Sequence, residues 1–169
     1  MNPRISIIMG STSDLPVMEK AMKFLDDMEV PFEVNALSAH RTPEAVESFA
    51  KNAADRGIQV IIAGAGMAAA LPGVIAAQTV LPVIGVPIKG SVLDGVDALL
   101  SILQMPPGIP VATVSINGAL NAAILACQML SLSDSELAQK MWSYKASLGQ
   151  KIEKANADLS ELKYAFKTN

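Results

Sequence analysis

Short apolar segments alternate with amphipathic ones five times along this chain, and no other feature constrains the fold as strongly. The apolar segments are rich in β-branched residues and bounded by glycine, proline or polar residues, so they are predicted strands. They span Arg4–Met9, Pro31–Leu37, Val60–Ala63, Val83–Val86 and Val111–Ile116. Strands that are apolar on both faces and separated by helices form a parallel sheet with helices on both sides. The sequence therefore predicts an α/β fold with a five-stranded parallel sheet.

The intervening segments predict helices whose ends are marked by caps and helix-breaking residues. The first predicted helix runs from about Asp14 to Met28, and the second runs from Pro43 to about Ala54 and is ended by Gly57. The third is a short helix that follows a loop at Gly64–Met67 and ends at Ala77. The last two are predicted over Gly95–Leu103 and from the Asn117–Gly118 turn to about Leu130. Ligands bind at the carboxyl ends of the strands in such sheets. The loops after the first four strands are therefore the candidate site.

The C-terminal segment has the pattern of one long amphipathic helix. Ser133–Glu136 contains a capping box, and apolar residues recur at helical spacing over Leu137–Phe166. A continuous helix of about 33 residues is roughly 50 Å long, more than a domain of this size can cover. A break at Gly149 is the alternative. We expect an α/β domain that holds the site over residues 1–132 and a helical extension over residues 133–169 that packs on a neighbouring subunit rather than on its own domain.

Composition and charge exclude several classes of protein. A net charge of −3 gives no basic field that would hold nucleic acid. The single cysteine, Cys127, excludes an intramolecular disulfide and fits a reducing compartment, and its apolar neighbours predict a buried structural thiol. The sequence has no clustered metal ligands. Because the first residues lack the pattern of a signal peptide, we expect a cytoplasmic protein.

The uncharged stretch Val60–Ala77 raises the alternative of a membrane span. Glycines and a proline interrupt it, and it begins with β-branched residues. A buried strand, a glycine loop and a packed helix explain this pattern better. With 51% hydrophobic and 17% charged residues, the chain is also expected to bury apolar surface between subunits.

The loop after the second predicted strand reads Ser-Ala-His-Arg-Thr-Pro and holds the only histidine, His40. Histidine is the side chain that changes charge near neutral pH, and Arg41 beside it is a fixed cation suited to phosphate. Thr42 and Pro43 predict a helix start, with threonine as N-cap and proline at the first helical position. A proton-transfer group, a cation and a helix N-terminus thus meet within six residues. A surface histidine before a capped helix is the alternative explanation.

Other loops carry features of a small-molecule site. Gly10–Asp14 offers backbone N–H groups, hydroxyls and a helix N-terminus for an anion, and its aspartate suits the hydroxyls of a ribose. The glycine-rich stretch from Gly64 allows a flat ligand to approach closely, or else serves tight helix–sheet packing. Lys89 and Asp94 are expected to be solvated. The stiff loop Pro106–Pro110 is either structural or a lid over a neighbour's site.

These motifs occur together and in this order in one family. They are Gly10–Asp14, Ser38–Pro43, Ala63–Gly66, Leu71–Gly73, Met105–Pro110 and Asn121–Ala123. On them the chain resembles, over about residues 3–145, the class I PurE family, the N5-carboxyaminoimidazole ribonucleotide mutases of purine biosynthesis. The resemblance implies a flavodoxin-like three-layer α/β/α sandwich, a phosphoribosyl aminoimidazole substrate, no cofactor, and homo-octamers with sites at subunit junctions.

The resemblance also implies roles for individual residues. The resemblance places Ser11 and Arg41 at the 5′-phosphate with Ser13 nearby, Asp14 at the ribose hydroxyls and His40 as the proton carrier. The other expected substrate-binding residues are Ser38, Ala39, Gly64, Ala65, Gly66 and Met67. The last four would line the space for the aminoimidazole and carbon dioxide. Many relatives have histidine where this chain has Ala70. The role of that second histidine is therefore absent here or supplied by water.

Two other functions remain as alternatives. Relatives that carboxylate aminoimidazole ribonucleotide with free carbon dioxide tend to read Ser-Ala-His-Lys-Thr in the histidine loop, so Arg41 favours the mutase. A non-catalytic flavodoxin-like binding domain is the alternative from a different class, and His40 at the strand ends argues against it. Mutase chemistry needs one imidazole that donates a proton to the departing nitrogen and later accepts the proton from C4. It requires no metal and no nucleophile.

Overall fold

The computed structural model describes residues 2–168, and its five strands form one parallel sheet. The strands are β1 (Ile5–Met9), β2 (Phe32–Ala36), β3 (Val60–Gly66), β4 (Val83–Ile88) and β5 (Ala112–Thr113). Their order in the sheet is β2-β1-β3-β4-β5, and every neighbouring pair is parallel. This is the doubly wound order of flavodoxin-like folds, whose switch point lies between β1 and β3. The predicted α/β fold is confirmed.

Helices cover both faces of this sheet. These helices are α1 (Leu15–Asp27), α2 (Pro43–Lys51), α3 (Leu71–Ala76), α4 (Val96–Leu103) and α5 (Ala119–Ser131). A further helix, α6 (Ser135–Ser160), follows in the C-terminal part of the chain. Buried residues of α2, α3 and α4 form one core cluster with Ala63 of β3. The next residue along the strand, Gly64, points to the opposite face, where it meets Met18 of α1. Successive residues of β3 therefore serve two different cores, as the pleat of a strand requires.

Three strand predictions were wrong in length, and one of them is the fourth strand, predicted to end at Val86, which continues to Ile88. The predicted loop Gly64–Met67 is strand through Gly66, because pairing with β4 continues to the Gly66–Ile88 register pair. The predicted fifth strand Val111–Ile116 is reduced to two residues, Ala112–Thr113. That strand lies at the edge of the sheet and pairs with β4 alone, at two register positions.

The second predicted helix was too long. Helix α2 ends at Lys51, where the Nδ2 of Asn52 donates to the backbone oxygen of Ser48 at 2.9 Å. A separate 3₁₀ turn, Ala54–Arg56, follows it. Gly57, with φ of 90°, ends that turn instead of α2, because this left-handed conformation is open to glycine without strain.

The C-terminal helix is continuous where a break was considered. Helix α6 has 26 residues and passes through Gly149, so its length is about 39 Å. Its N-cap is Asp134 rather than the serine of the predicted capping box: the Oδ1 of Asp134 accepts from the backbone N–H of Leu137 at 3.0 Å. One compact unit of the chain ends at Leu130 and a second begins at Ser131.

The uncharged stretch from Val60 forms β3, the following loop and α3. No helix within residues 2–168 combines the length and the apolar character needed to cross a bilayer. Cys127 is buried on α5, as predicted, and burial raises the pKa of its thiol to about 11. At neutral pH this thiol is protonated, which fits a structural role.

An ion cluster ties β1 and β2 to the turn after α2. The carboxylate of Glu33 accepts from Arg56 Nη2 at 2.9 Å and from the buried hydroxyl of Ser6 at 2.9 Å. The guanidinium of Arg56 also lies 4.9 Å from the centre of the Phe49 ring. Burial by itself raises the pKa of Glu33, but the hydrogen bonds from Arg56, Ser6 and Asn35 and the charge of Arg56 outweigh it, so the pKa is lowered.

This cluster makes folding stability depend on pH. Because the folded pKa of Glu33 is below its ordinary value of 4.5, its contribution is complete above that value and is lost as pH falls through the folded pKa. We expect Glu33→Gln to lower the free energy of unfolding by about 1–2 kcal/mol at neutral pH. The difference should shrink near pH 3, as measured by urea unfolding. Glu19→Gln, which breaks only an exposed pair with Lys23, is the control. An equal loss at both pH values would contradict this role.

Candidate active site

A cleft of about 490 Å³ opens at the carboxyl ends of β1, β2, β3 and β4. This volume is in the range of small-molecule sites, and the position is the one that doubly wound sheets use for ligands. The lining residues are Gly10, Ser11, Ser13, Asp14, Ser38, Ala39, His40, Arg41, Ala65, Gly66, Met67, Ala69, Ala70, Leu71, Ile88, Lys89, Gly90 and Ser91. All the predicted site residues except Gly64 are among them.

The loop after β1 forms a polar wall of the cleft. Ser11 caps a 3₁₀ turn at Thr12–Asp14, and its Oγ accepts from the backbone N–H of Ser13 at 3.3 Å. Asp14 then precedes α1. Burial raises the pKa of the Asp14 carboxyl, although hydrogen bonds from the backbone of Ser11 and the hydroxyl of Ser13 partly oppose this. A partly desolvated carboxylate gains from hydroxyl donors that a ligand brings.

The histidine loop is closed by hydrogen bonds between its two ends. The backbone N–H of Thr42 donates to the Ser38 carbonyl at 2.8 Å, and the N–H of Ser38 donates to Thr42 Oγ1 at 3.0 Å. Thr42 is the N-cap residue of α2 and Pro43 the first helical residue, as predicted. Thr42 Oγ1 does not accept from a backbone N–H of the first turn of α2, as an N-cap side chain usually does, because it accepts from the N–H of Ser38 and donates to the Ser38 carbonyl instead.

Arg41 joins the loops after β1 and β2. Its Nη2 donates to the backbone oxygen of Gly10 at 3.1 Å, and its Nε donates to Ser38 Oγ at 3.3 Å. The side chain is exposed at the cleft, so other guanidinium N–H groups remain available. This arrangement holds a fixed positive charge in the cleft that Ser11 and Ser13 also line.

His40 lies at the exposed tip of its loop and lines the same cleft. Its imidazole makes no hydrogen bond with other side chains or backbone groups of residues 2–168. Arg41, its neighbour, is tied to Gly10, whereas the histidine ring is free to turn toward a ligand. The local sequence permits this because the hydrogen bonds that close the loop come from Ser38 and Thr42.

The third wall is formed by the end of β3 and the loop before α3. Ala65 and Gly66 face the cleft, followed by Met67 and Ala69, which adopt positive φ values of 53° and 30°. Positive φ is strained for residues other than glycine and tends to occur at functional sites. Gly64 does not line the cleft: a Cβ there would lie 2.6 Å from Met18 Sδ, so this glycine makes room for core packing.

The loop after β4 forms the fourth wall; it was predicted as part of the candidate site, but none of its residues was given a role there. Ile88, the last residue of β4, lines the cleft together with Lys89, Gly90 and Ser91 after it, although Lys89 was expected only to be solvated. The N–H of Lys89 donates to Asn117 Oδ1 at 2.9 Å, which fixes this segment to the turn before α5. The available signal was topological, since β4 ends at the same edge as β1–β3. Among residues 2–168, no cluster of three or more histidine, cysteine, aspartate or glutamate side chains could hold a metal ion.

A 2-1-3-4-5 parallel sheet with a polar cleft beside its switch point defines a flavodoxin-like ligand-binding α/β protein. Comparison with protein families identifies the chain more closely than the fold does, because the sequence model of the AIR carboxylase family matches residues 4–151. This chain belongs to the AIR carboxylase family, and the resemblance to its class I PurE branch is confirmed.

Three relatives illustrate the match. The N5-carboxyaminoimidazole ribonucleotide mutase of Pyrococcus abyssi is 59% identical over 146 residues, covering 86% of this chain and 84% of its own. The phosphoribosylaminoimidazole carboxylase of Saccharomyces cerevisiae is 60% identical over 141 residues, which are 83% of this chain but 25% of the yeast protein. A crystal structure of Treponema denticola PurE superposes with a TM-score of 0.84 at 35% identity, covering 93% of this chain and 98% of that one.

Proposed function

We propose that this protein is a mutase of de novo purine biosynthesis that converts N5-carboxyaminoimidazole ribonucleotide into 4-carboxy-5-aminoimidazole ribonucleotide. One observation carries the proposal: a single cleft brings together the only histidine of the chain, an arginine and a serine-rich loop, in a member of the AIR carboxylase family. Relatives with 51% identity or more over most of the chain, from Pyrococcus abyssi and Thermotoga maritima, carry the mutase name.

The loops after β1 and β2 bind the phosphoribosyl group. Ser11, Ser13 and Arg41 offer hydroxyls and a guanidinium within one region of the cleft, which suits a phosphate. Asp14 lies beside them and accepts hydrogen bonds from the ribose hydroxyls. Because Arg41 is already held by Gly10 and Ser38, the phosphate site is preorganised before substrate arrives.

His40 transfers the proton in both halves of the reaction. The imidazolium donates a proton to N5, the bond from N5 to the carboxyl carbon breaks with its electron pair remaining on nitrogen, and carbon dioxide is released. C4 of the ring then attacks carbon dioxide, and the neutral imidazole accepts the proton that C4 loses. His40 returns to its starting state, so the reaction needs no net proton and no second acid.

The walls after β3 and β4 retain the carbon dioxide. Ala65, Gly66, Ala69 and Leu71 present backbone and small or apolar side chains to the cleft, where an unhydrated gas molecule loses little by leaving water. Confinement beside C4 makes recarboxylation effectively unimolecular, which can contribute several powers of ten in rate.

Carboxylation by free carbon dioxide is the second candidate function. It is favoured by the fungal carboxylases, which match this chain closely over about a quarter of their length. Arg41, where such sequences were expected to have lysine, and the mutase names of the other relatives favour intramolecular transfer. The two functions differ in one measurable respect, namely whether the carboxyl carbon exchanges with the solution.

Carboxyl-labelled substrate distinguishes them. With labelled N5-carboxyaminoimidazole ribonucleotide, excess unlabelled bicarbonate and no ATP, we expect the product to keep most of its label, because carbon dioxide is recaptured before it escapes. Extensive loss of label, with equally fast turnover from aminoimidazole ribonucleotide and dissolved carbon dioxide, would assign the carboxylase instead. If neither substrate gave any product, the protein would be assigned as a non-catalytic binding domain.

We also propose that the protein is a homo-octamer located in the cytoplasm. A homo-octamer with sites at subunit junctions is supported by apolar side chains left exposed on α4, such as Leu100 at 50% and Leu103 at 52%. The extension from residue 133 onward is proposed to pack on a neighbouring subunit, and its exposed Ile152 and Leu159 support this. Buried, protonated Cys127 is compatible with a cytoplasmic location.

A further inference from the structure

The cleft has two positively charged ends. Arg41 follows β2 and Lys89 follows β4, and both side chains line the same cleft. Strands β1 and β3 lie between β2 and β4, so three strand spacings, about 14 Å, separate the two strand ends. Asp14 is the only acidic side chain among the described lining residues, and it belongs to the Arg41 end.

We propose that Lys89 binds the carboxylate that moves during the reaction, at the opposite end of the cleft from the phosphate. This inference rests on the proposed function, whose substrate carries a phosphate at one end and a carboxylate at the other. The walls after β3 and β4 contain no other fixed cation among the residues described: their side chains are apolar or, in Ser91, neutral. A carboxylate placed there without a positive partner would be costly to desolvate.

The surroundings of Lys89 fix its backbone but leave its side chain free to move. Its N–H is held by Asn117 Oδ1 at 2.9 Å, and Asn117 in turn donates its own N–H to the Pro87 carbonyl at 2.8 Å. The ammonium pairs with Asp94 at 3.0 Å, but the two side chains are 56% and 78% exposed. An exposed pair of this kind contributes little, so a substrate carboxylate can replace Asp94.

The chemistry of lysine suits a group that changes position. During the proposed reaction the carboxyl group leaves a nitrogen and joins a ring carbon. An ammonium on a flexible stem has three donors that can rotate, whereas a guanidinium has a rigid, planar fork. Lys89 can therefore bind the carboxylate oxygens before and after the transfer.

Two ligands that differ in one carboxylate test this assignment. We would measure by calorimetry the affinities of the carboxylated product and of aminoimidazole ribonucleotide, which lacks the carboxylate, for the full-length protein. Lys89→Met should weaken binding of the carboxylated ligand about 10-fold or more, the effect of removing a charged hydrogen bond, and change the affinity for the other ligand less than about threefold. Lys89→Arg should recover part of the loss.

Two further variants separate this role from a structural one. Lys23→Met removes a lysine from an exposed pair on α1 and should change neither affinity. Asp94→Asn should change both by less than about threefold, because Asp94 only holds the resting ammonium. Equal weakening of both ligands in Lys89→Met, or no weakening, would overturn the assignment while wild-type turnover still supported the mutase. A wild-type protein that neither binds nor converts the carboxylated ligands would overturn both.

Discussion

Replacing His40 with asparagine is expected to lower the turnover of N5-carboxyaminoimidazole ribonucleotide by at least about 100-fold. Asparagine keeps a polar side chain of similar reach but cannot exchange a proton near neutral pH. No other histidine exists in the chain to take over this step, and Ala70 stands where many relatives have a second one. Both the protonation of N5 and the removal of the C4 proton should therefore fail together.

The same variant should fold normally and still bind nucleotide. His40 is exposed, and the loop is closed by Ser38 and Thr42 without the imidazole. Unfolding by urea and the affinity for aminoimidazole ribonucleotide, both measured beside the wild type, should change little. If the variant kept more than about a tenth of the wild-type rate, the proton-transfer role would be wrong. If affinity and stability fell with the rate, His40 would instead have a structural role.

Much of the site could be predicted because the topology of a parallel sheet brings strand ends together. Residues after β1 and β2 stood out by their chemistry, since a lone histidine, an arginine and a serine-rich turn are recognisable without a structure. Lys89 did not stand out, because a lysine between apolar segments has the same local sequence whether it is solvated or faces a ligand. Its place at the cleft depends on β4 lying next to β3, which follows from the whole fold rather than from neighbouring residues.

Glycines show the limit of local reasoning most clearly. Gly64 and Gly66 are two residues apart on β3, and both were expected at the ligand. The structure places Gly66 at the cleft and Gly64 against Met18, where a Cβ would come within 2.6 Å of sulfur. Whether a missing side chain makes room for a ligand or for a helix is decided by tertiary packing, which the sequence pattern does not contain.

The residues at which helices and strands begin and end were harder to predict than the presence of each helix or strand. The α6 N-cap fell on Asp134 instead of Ser133, because either side chain can accept from the first turn. Thr42 was correctly placed before α2, yet its hydroxyl bonds across the histidine loop to Ser38. Competition between nearly equal hydrogen-bond partners decides such cases, and differences of a few tenths of a kcal/mol suffice.

Charging the exposed face of α4 is expected to dissociate the proposed octamer. Val96, Leu100 and Leu103 recur at helical spacing on α4, and each is about half exposed in the single chain. Together they form an apolar stripe of the kind that subunit interfaces bury. In Leu100→Glu combined with Leu103→Glu, association would bury two unpaired carboxylates, which is costly enough to prevent it. Light scattering after size exclusion should show a lower mass than for the wild type.

The neighbouring residue Ser101 provides the control for this prediction. It is exposed on the same helix but lies off the apolar stripe, so Ser101→Glu adds charge without charging the stripe itself. That variant should keep the wild-type mass, whereas the double variant should lose mass and, because the sites are proposed to lie at subunit junctions, lose turnover as well. A double variant of wild-type mass would show that α4 is not in the interface and would leave the C-terminal extension as the remaining candidate. Wild-type protein that is monomeric would contradict the assembly altogether.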